Sequence, residues 1–173
     1  SRGRSTRAVA EAFLDRRWGD LVRWHRWLAH ARDPNGRGRI TIFHGWESGM
    51  DNSPRWDSPY SNVVPGEDLP PYKRADLDHV GGDASMRPSN LEYDRYIWLV
   101  EEMKRAHYDD EVLPKVMSFM VEDVFVSAIF AVACDVLATI GEDYSKPRAD
   151  VRDLRAWSDR FKAGVVAAAN DRN

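Results

Sequence analysis

The stretch that decides the fold is VMSFMVEDVFVSAIFAVACDVLATI, residues 116–140, which is apolar nearly all round. Its length would suit a membrane span, but carboxylates interrupt it, so we do not predict one. A helix that is apolar on every face in a soluble protein is buried on every side. We expect this helix to run from Pro114 to about Ile140 and to stop at Gly141. The interrupting carboxylates are Glu122, Asp123 and Asp135.

The helix that follows is one-sided and would cover the buried one. Pro147 opens it, and its polar face carries arginine, aspartate and lysine. A four-helix bundle needs four one-sided helices, whereas a buried helix beside a covering helix fits a double ring of helices better. The apolar positions of the covering helix are Val151, Leu154, Trp157, Phe161, Val165 and Ala168.

Two further helices are predicted upstream. One spans about residues 7–32 and ends at DPNG, residues 33–36, where proline and turn residues follow. The other begins after Ser89, because Ser89 and Glu92 have the spacing of a capping box. The chain is therefore predicted to be all-α, with about four long helices in two helical hairpins. Since four helices are too few to close a ring, we expect residues 1–173 to be a fragment of one larger domain.

The composition is that of a globular protein. Hydrophobic residues make up 43% and charged residues 31% of the chain, as in folded soluble domains. The net charge of −3, with both signs interspersed, gives no case for binding nucleic acid or an anionic membrane. The first 17 residues hold five arginines and lack the apolar core of a signal peptide, so we expect a cytoplasmic protein.

Residues 33–88 are predicted to form a long functional loop. They contain seven of the nine prolines, which excludes regular helix over most of the segment. Disordered segments are poor in aromatic residues, whereas this one is not. A long ordered loop in a compact domain usually carries function. Its aromatic residues include Trp46, Trp56, Tyr60 and Tyr72.

Within this loop, WESGMDNSPRWD, residues 46–57, assembles the parts of a carbohydrate site. A glycosidic bond breaks with one carboxylic acid that protonates the leaving oxygen and a second carboxylate on the other side. Tryptophan faces stack on sugar rings, arginine and asparagine bond hydroxyl groups, and Gly49 lets the backbone approach a ligand. The alternative on these parts alone is a plug, in which the indoles and an arginine–aspartate pair hold the loop on a helical body.

The same residues closely resemble the motif of the α-glycosidases around glycoside hydrolase family 63, in the branch of mannosylglycerate and glucosylglycerate hydrolases. The resemblance covers roughly residues 20–145 and implies an (α/α)6 barrel, which fits the alternation of buried and covering helices. It also implies inverting hydrolysis of a small α-glucoside or α-mannoside. The matching segments outside the motif are RDPNG, His79–Val80, RPS from Arg87, YDRYIWLV from Tyr93 and the apolar helix after Pro114.

Carried over to this sequence, the resemblance implies a role for each matching residue. Asp51 would be the general acid, with its carboxyl group among tryptophan rings and apolar helix faces. Trp46 and Gly49 would line the pocket of the cleaved sugar. Arg87 and Tyr93 would reach the leaving group or its subsite.

Two further residues of the motif, Arg55 and Glu47, are also candidates for the site. Arg55 would support the site or contact the sugar. The general base of the family is a glutamate from a later part of the barrel, and no comparable motif occurs here. Glu47 lies four residues before Asp51 and would share one side of a turn with it, so it cannot easily flank the sugar from the opposite face. We expect it to bond loop backbone amides or Arg55, with a direct sugar contact as the lesser alternative. The chain would thus supply the acid half of the site, need the remainder of the barrel as its partner and be inactive alone.

Two other functions remain open: a non-catalytic carbohydrate-binding remnant and a helical interaction module. No cofactor or metal is predicted, since the five histidines are scattered without a metal-binding pattern. Residues 33–44 faintly resemble a calcium loop, but the third ligand position is Arg37 and the twelfth is His44. We therefore predict no calcium site.

Overall fold

The computed structural model describes residues 2–74 and 87–170, with side chains from residue 6 onward. Its regular structure there is helical, apart from one pair of two-residue strands, so the expected all-α class is confirmed. The strands are β1 (Thr41–Ile42) and β2 (Val121–Glu122), which pair antiparallel. The α-helices are α1 (Arg2–Ala31), α2 (Asp57–Ser61), α3 (Asn90–Arg105), α4 (Leu113–Val116), α5 (Val124–Asp143) and α6 (Arg148–Asn170). The 3₁₀ helices are Gly45–Ser48 and Pro54–Trp56.

The chain divides into two compact units. The first comprises Ser1–Ile40 and Asp123–Asn173 and contains α1, α5 and α6. The second comprises Thr41–Glu122 and contains both strands, both 3₁₀ helices and α2 to α4. The second predicted hairpin is present, because α5 and α6 pack on each other within the first unit.

The α5–α6 hairpin closes around aromatic rings and a buried hydroxyl group. Phe130 and Phe161 meet edge to face with ring centroids 4.8 Å apart. Ser158 is fully buried, and its Oγ donates to the carbonyl of Ala131 at 2.9 Å. At the edge of this contact, Arg155 of α6 forms ion pairs with two carboxylates of α5. The covering helix therefore has the one apolar face that its sequence predicts.

The predicted start of the buried helix at Pro114 is wrong. Pro114 lies in the single turn of α4, and the long helix α5 begins at Val124. Asp123 has an extended backbone, with φ −84° and ψ 110°, and its carboxylate caps the helix by accepting from Phe125 N at 2.8 Å. Glu122 pairs with Thr41 in the small sheet. Strand pairing and a side-chain cap therefore set the boundary, which an all-apolar run cannot locate.

The predicted stop at Gly141 is also wrong, because α5 continues through it to Asp143. A Cβ atom on Gly141 would lie 2.6 Å from the ring of Trp18 and 2.7 Å from Val151. Glycine at this position therefore serves close packing with α1 and α6 rather than a helix end.

α5 is not buried on every side in this chain. The apolar residues on one face of α5 are about half exposed to solvent. We call this row of residues the α5 stripe. By length and composition alone α5 could cross a membrane, a test that the core helices of soluble proteins also pass. The α5 stripe consists of Phe125 (44% exposed), Ile129 (55%), Val132 (59%) and Val136 (52%).

The turn after α1 is built around the buried carboxylate of Asp33. Its oxygens accept from the backbone N–H groups of Arg37 at 2.8 Å and Gly38 at 2.9 Å. The guanidinium of Arg160 on α6 lies 3.6 Å away. Among the described residues, no three histidine, cysteine or acidic side chains lie close enough to hold a metal ion. The absence of a cofactor nevertheless stays a prediction.

Residues 33–88 are less irregular than predicted. Pro54 opens a 3₁₀ helix, and Pro59 lies in the first turn of α2, where the missing N–H has no helical partner to lose. The predicted matches at His79–Val80 lie outside the described residues. The part of the loop that is described thus consists of short helical turns joined by extended chain.

Candidate active site

The predicted motif folds into a compact turn that bonds to itself. Ser48 Oγ donates to the carbonyl of Gly45 at 2.6 Å and accepts from Met50 N at 3.0 Å. Trp56 is buried, and its indole N–H donates to the carbonyl of Met50 at 2.8 Å. One indole therefore anchors the turn, as the plug alternative expects. The other, Trp46, is 40% exposed and free to meet a ligand.

A buried tyrosine holds the start of this turn. The hydroxyl group of Tyr60 on α2 accepts from Gly45 N at 3.0 Å, and burial raises the pKa of Tyr60, so the phenol stays neutral. A Cβ atom on Gly45 would lie 2.5 Å from this hydroxyl group and 3.1 Å from the ring of Trp56. The Tyr60 ring packs on Phe119 and on Tyr96 of α3, with centroids 4.7 Å and 4.9 Å away. The close approach at position 45 therefore requires glycine.

His44 links the turn to α3 through both of its ring nitrogens. Nδ1 accepts from Trp46 N at 3.0 Å, and Nε2 lies 3.1 Å from the carbonyl of Tyr96. Because Nδ1 faces an N–H group, the ring proton belongs on Nε2, which donates to that carbonyl. Burial lowers the pKa of His44 to about 4, so the imidazole is neutral at pH 7.

Two adjoining cavities open beside the turn, with volumes of about 460 Å³ and 150 Å³. Five residues line both cavities, so the two share a wall. The shared wall consists of Asp51, Asn52, Arg87, Pro88 and Tyr96. The smaller cavity adds Trp46 and Tyr93, and the larger adds side chains that include Trp56, Asp57, Tyr60, Glu92 and Arg95.

The structure brings four of the six predicted site residues to the smaller cavity: Trp46, Asp51, Arg87 and Tyr93. Trp46 and Tyr93 approach edge to face, with ring centroids 6.4 Å apart. Asp51 is exposed, in contrast to the expected enclosure among rings, because it lies on the rim where the two cavities meet. Their roles in catalysis and binding stay predictions.

The other two predicted residues do not line either cavity. Gly49 ends the first 3₁₀ helix with a left-handed backbone, φ 69°, and open space surrounds the position of a Cβ atom. Glycine is needed there for the backbone conformation and not for close approach. Arg55 lies over the ring of Trp56, 4.8 Å from its centroid, and its Nη2 is 2.8 Å from Met50 Sδ. Its contacts match the supporting role, which is one of the two expected.

A capping box at the start of α3 fixes the place of Arg87. Ser89 Oγ accepts from Glu92 N at 3.2 Å, and Ser89 N donates to Glu92 Oε2 at 2.6 Å, which confirms the predicted cap. The hydrogen bonds from Ser89 lower the pKa of Glu92, so its carboxylate is charged. Pro88 then joins this cap to Arg87 on the shared wall.

Tyr93 is packed by the segment that precedes the undescribed residues 75–86. Tyr72 stacks on its ring with centroids 5.4 Å apart, and the guanidinium of Arg74 lies 4.6 Å from the centroid. Tyr72 is in turn tied to α3, since its hydroxyl group donates to Asp94 at 2.6 Å. The ring of Tyr93 is therefore held in place before any ligand arrives.

Sequence reasoning missed Tyr96 as a wall residue, and it counted the asparagine of the motif, Asn52, as a hydrogen-bonding partner of hydroxyl groups without placing it on the wall. Helical periodicity explains Tyr96 as core, and it is only 4% exposed, yet it borders both cavities. Its spacing of three from Tyr93, which puts both on one helix face, was the available signal. Glu47 has the structural role expected of it, because its Oε1 accepts from Phe43 N at 2.9 Å.

Comparison with known proteins assigns the family. The family model described as the mannosylglycerate hydrolase MGH1-like glycoside hydrolase domain matches residues 2–173. The chain belongs to this family of glycoside hydrolases. A glucosylglycerate hydrolase from Mycolicibacterium hassiacum is 71% identical over 172 residues, which are 99% of this chain and 38% of that protein.

Solved structures agree with this assignment. The family 63 mannosylglycerate hydrolase from Thermus thermophilus, solved with Tris, matches with a TM-score of 0.85 and 37% identity, over 93% of this chain and 38% of that one. Its structure with Tris and D-glycerate matches with a TM-score of 0.83 and the same identity and coverage. The chain therefore spans 38% of the length of these relatives and forms part of the family 63 (α/α) barrel domain.

Proposed function

We propose that this chain supplies the general-acid half of an inverting α-glycosidase that cleaves glycosides of a small hydroxy acid, such as a glycosylglycerate. The observation that carries the proposal is the cavity where a carboxyl group, an arginine and aromatic rings meet. Family membership supports the hydrolytic class. The substrate class draws support from relatives that are a glucosylglycerate hydrolase and a mannosylglycerate hydrolase.

Asp51 is proposed to protonate the glycosidic oxygen. Its place where the two cavities meet, beside Trp46 and Arg87 of the smaller cavity, suits a bond whose sugar stacks on the indole and whose leaving group reaches the guanidinium. Trp46 presents a 40% exposed ring, on which the apolar face of the sugar would stack. An inverting enzyme also needs a base about 6.5–9.5 Å from the acid, with a water molecule between base and sugar.

Arg87 is proposed to bind the carboxylate of the leaving group. A guanidinium binds a carboxylate through two parallel hydrogen bonds, which a neutral leaving group cannot accept in the same way. The hydroxyl group of Tyr93, on the same small cavity, would donate a further hydrogen bond. The relative solved with D-glycerate supports this class of leaving group.

The remainder of the barrel is the proposed partner of this chain. The α5 stripe is a contiguous apolar surface that such a partner would cover. The base is also assigned to the remainder, because Glu47 is engaged with the backbone of Phe43. The 173-residue chain alone is accordingly expected to be inactive. A cytoplasmic location, with no nucleic-acid or membrane partner, completes the proposal.

The substrate class is tested by Arg87→Ala in the full-length gene product. Hydrolysis of glucosylglycerate and mannosylglycerate is compared with that of glucosylglycerol and a neutral disaccharide. Loss of the charge-assisted pair should lower kcat/KM on the two acid substrates by about 10–100-fold. The neutral substrates should lose less than about threefold, since they never made that pair.

Arg55→Ala is the matched control for this experiment. It removes an arginine that supports the turn without lining a cavity, so it should lower the rates on acid and neutral substrates by the same factor. An equal loss on both substrate classes in Arg87→Ala would make Arg87 a scaffold residue. A wild-type protein that hydrolyses none of the four substrates would favour the carbohydrate-binding remnant.

A further inference from the structure

His44 makes contacts that the proposed mechanism does not use. It is 3% exposed and lines neither cavity. Its two hydrogen bonds reach main-chain atoms of different elements, Trp46 N in the first 3₁₀ helix and Tyr96 O in α3. Trp46 belongs to the smaller cavity and Tyr96 to the shared wall. One side chain thus joins the two elements that carry the candidate site.

The chemistry of this link requires a neutral ring. The nitrogen near Trp46 must accept and the nitrogen near Tyr96 must donate, and only the neutral imidazole offers one of each. The ring also contacts its neighbours, with centroid distances of 4.3 Å to Trp46, 5.8 Å to Tyr96 and 6.2 Å to Tyr60. Tyr96 and Tyr60 are uncharged at pH 7, since the ordinary pKa of a phenol is about 10 and burial raises the pKa of both further.

We infer that His44 is a positioning residue of the proposed glycosidase. It locks the turn that carries Trp46 and leads to Asp51 against the helix that carries Tyr93 and Tyr96. The inference rests on the proposed function for its kinetic consequences, whereas the anchoring itself can be measured without any substrate. In this role His44 touches neither the sugar nor the leaving group. It acts by placing the residues that contact them.

The anchoring is tested by hydrogen exchange of the backbone amides of residues 45–51 in the full-length gene product. His44→Ala removes the acceptor of the Trp46 amide, so exchange in this segment should speed up by about tenfold or more. His44→Asn keeps an acceptor at the N-cap position but cannot also reach the carbonyl of Tyr96, so it should restore slow exchange only in part. His107→Asn is the matched control, because His107 is exposed and has a left-handed backbone, φ 53°, which asparagine tolerates.

Kinetics provide the second readout. We expect kcat/KM to fall by about 10–100-fold in His44→Ala, because small misplacements of reacting groups cost rates of this order. The loss should be equal on acid and neutral substrates, and His44→Asn, which lacks the bond to Tyr96, should recover only part of it, while His107→Asn stays at the wild-type rate. Full recovery in His44→Asn would reduce His44 to a helix cap and overturn the link to α3. Unchanged exchange in His44→Ala would overturn the inference, as would unchanged kcat/KM in an active enzyme. An inactive wild type would refute the proposed function alone, and exchange would still decide the role of His44.

Discussion

Single residues of the same type have different roles in the motif and directly before it. Trp56 is buried and bonds to the turn, whereas Trp46 is exposed on a cavity. Gly45 is required by the close approach of Tyr60, whereas Gly49 is required by its backbone angle. Spacing within twelve residues could not separate these roles, because the difference comes from side chains that lie further along the chain.

The contrast between glycines yields a stability prediction. Gly45→Ala puts a methyl group 2.5 Å from the hydroxyl group of Tyr60 and should lower the free energy of unfolding by about 1–3 kcal/mol. Gly19→Ala, at an exposed position of α1 with nothing within 4 Å, should raise it by about 0.5–1 kcal/mol. Urea unfolding of both variants measures the two changes. Equal effects of the same sign would show that the Gly45 contact is not structural.

The helices of the structure agree with the sequence-based prediction where a local cap or a periodic apolar face defines them. Ser89 and Glu92 predict the start of α3, and the structure contains both hydrogen bonds of the box. The one-sided pattern after Pro147 predicts α6 in the same way. The uniform run before Ile140 carries no periodicity, so the cap at Asp123 and the strand pairing of Glu122 remain hidden in it. Apolar composition predicts that α5 is a buried helix and leaves its ends and neighbours open.

The α5 stripe gives a prediction at this scale. The isolated chain should self-associate through it, and the double variant Ile129→Lys with Val136→Lys should sediment as a monomer with unchanged helix content. In the full-length gene product the same pair should cost several kcal/mol of stability, about what two buried unpaired charges imply. Val166→Lys is the control, since Val166 is 59% exposed on the polar face of α6. A wild-type chain that sediments as a monomer would contradict this account of α5.

For the whole molecule, the family and fold class could be predicted from the sequence, because a contiguous motif and alternating helix types carry them. Four of the six predicted site residues share a cavity, since the motif and the start of α3 both border it. His44 could not be assigned, because its importance arises from a contact between residues about fifty positions apart. Tyr96 carried a signal in its spacing of three from Tyr93, which puts both on one helix face. The general base is proposed to lie in the remainder of the barrel, so the residues of this chain cannot identify it.

The most direct test of the account is Asp51→Asn in the full-length gene product, assayed on glucosylglycerate and on a dinitrophenyl α-glucoside. Asp51 is exposed, so the fold should be unchanged. Turnover of glucosylglycerate should fall by about 100-fold or more, while the activated substrate, whose leaving group needs no proton, should stay within about fivefold of wild type. Asp159→Asn, which changes an exposed aspartate of α6 that lines neither cavity, should leave both rates nearly intact. Wild-type turnover of glucosylglycerate by Asp51→Asn, or an equal loss on both substrates, would contradict the assignment of Asp51 as the general acid.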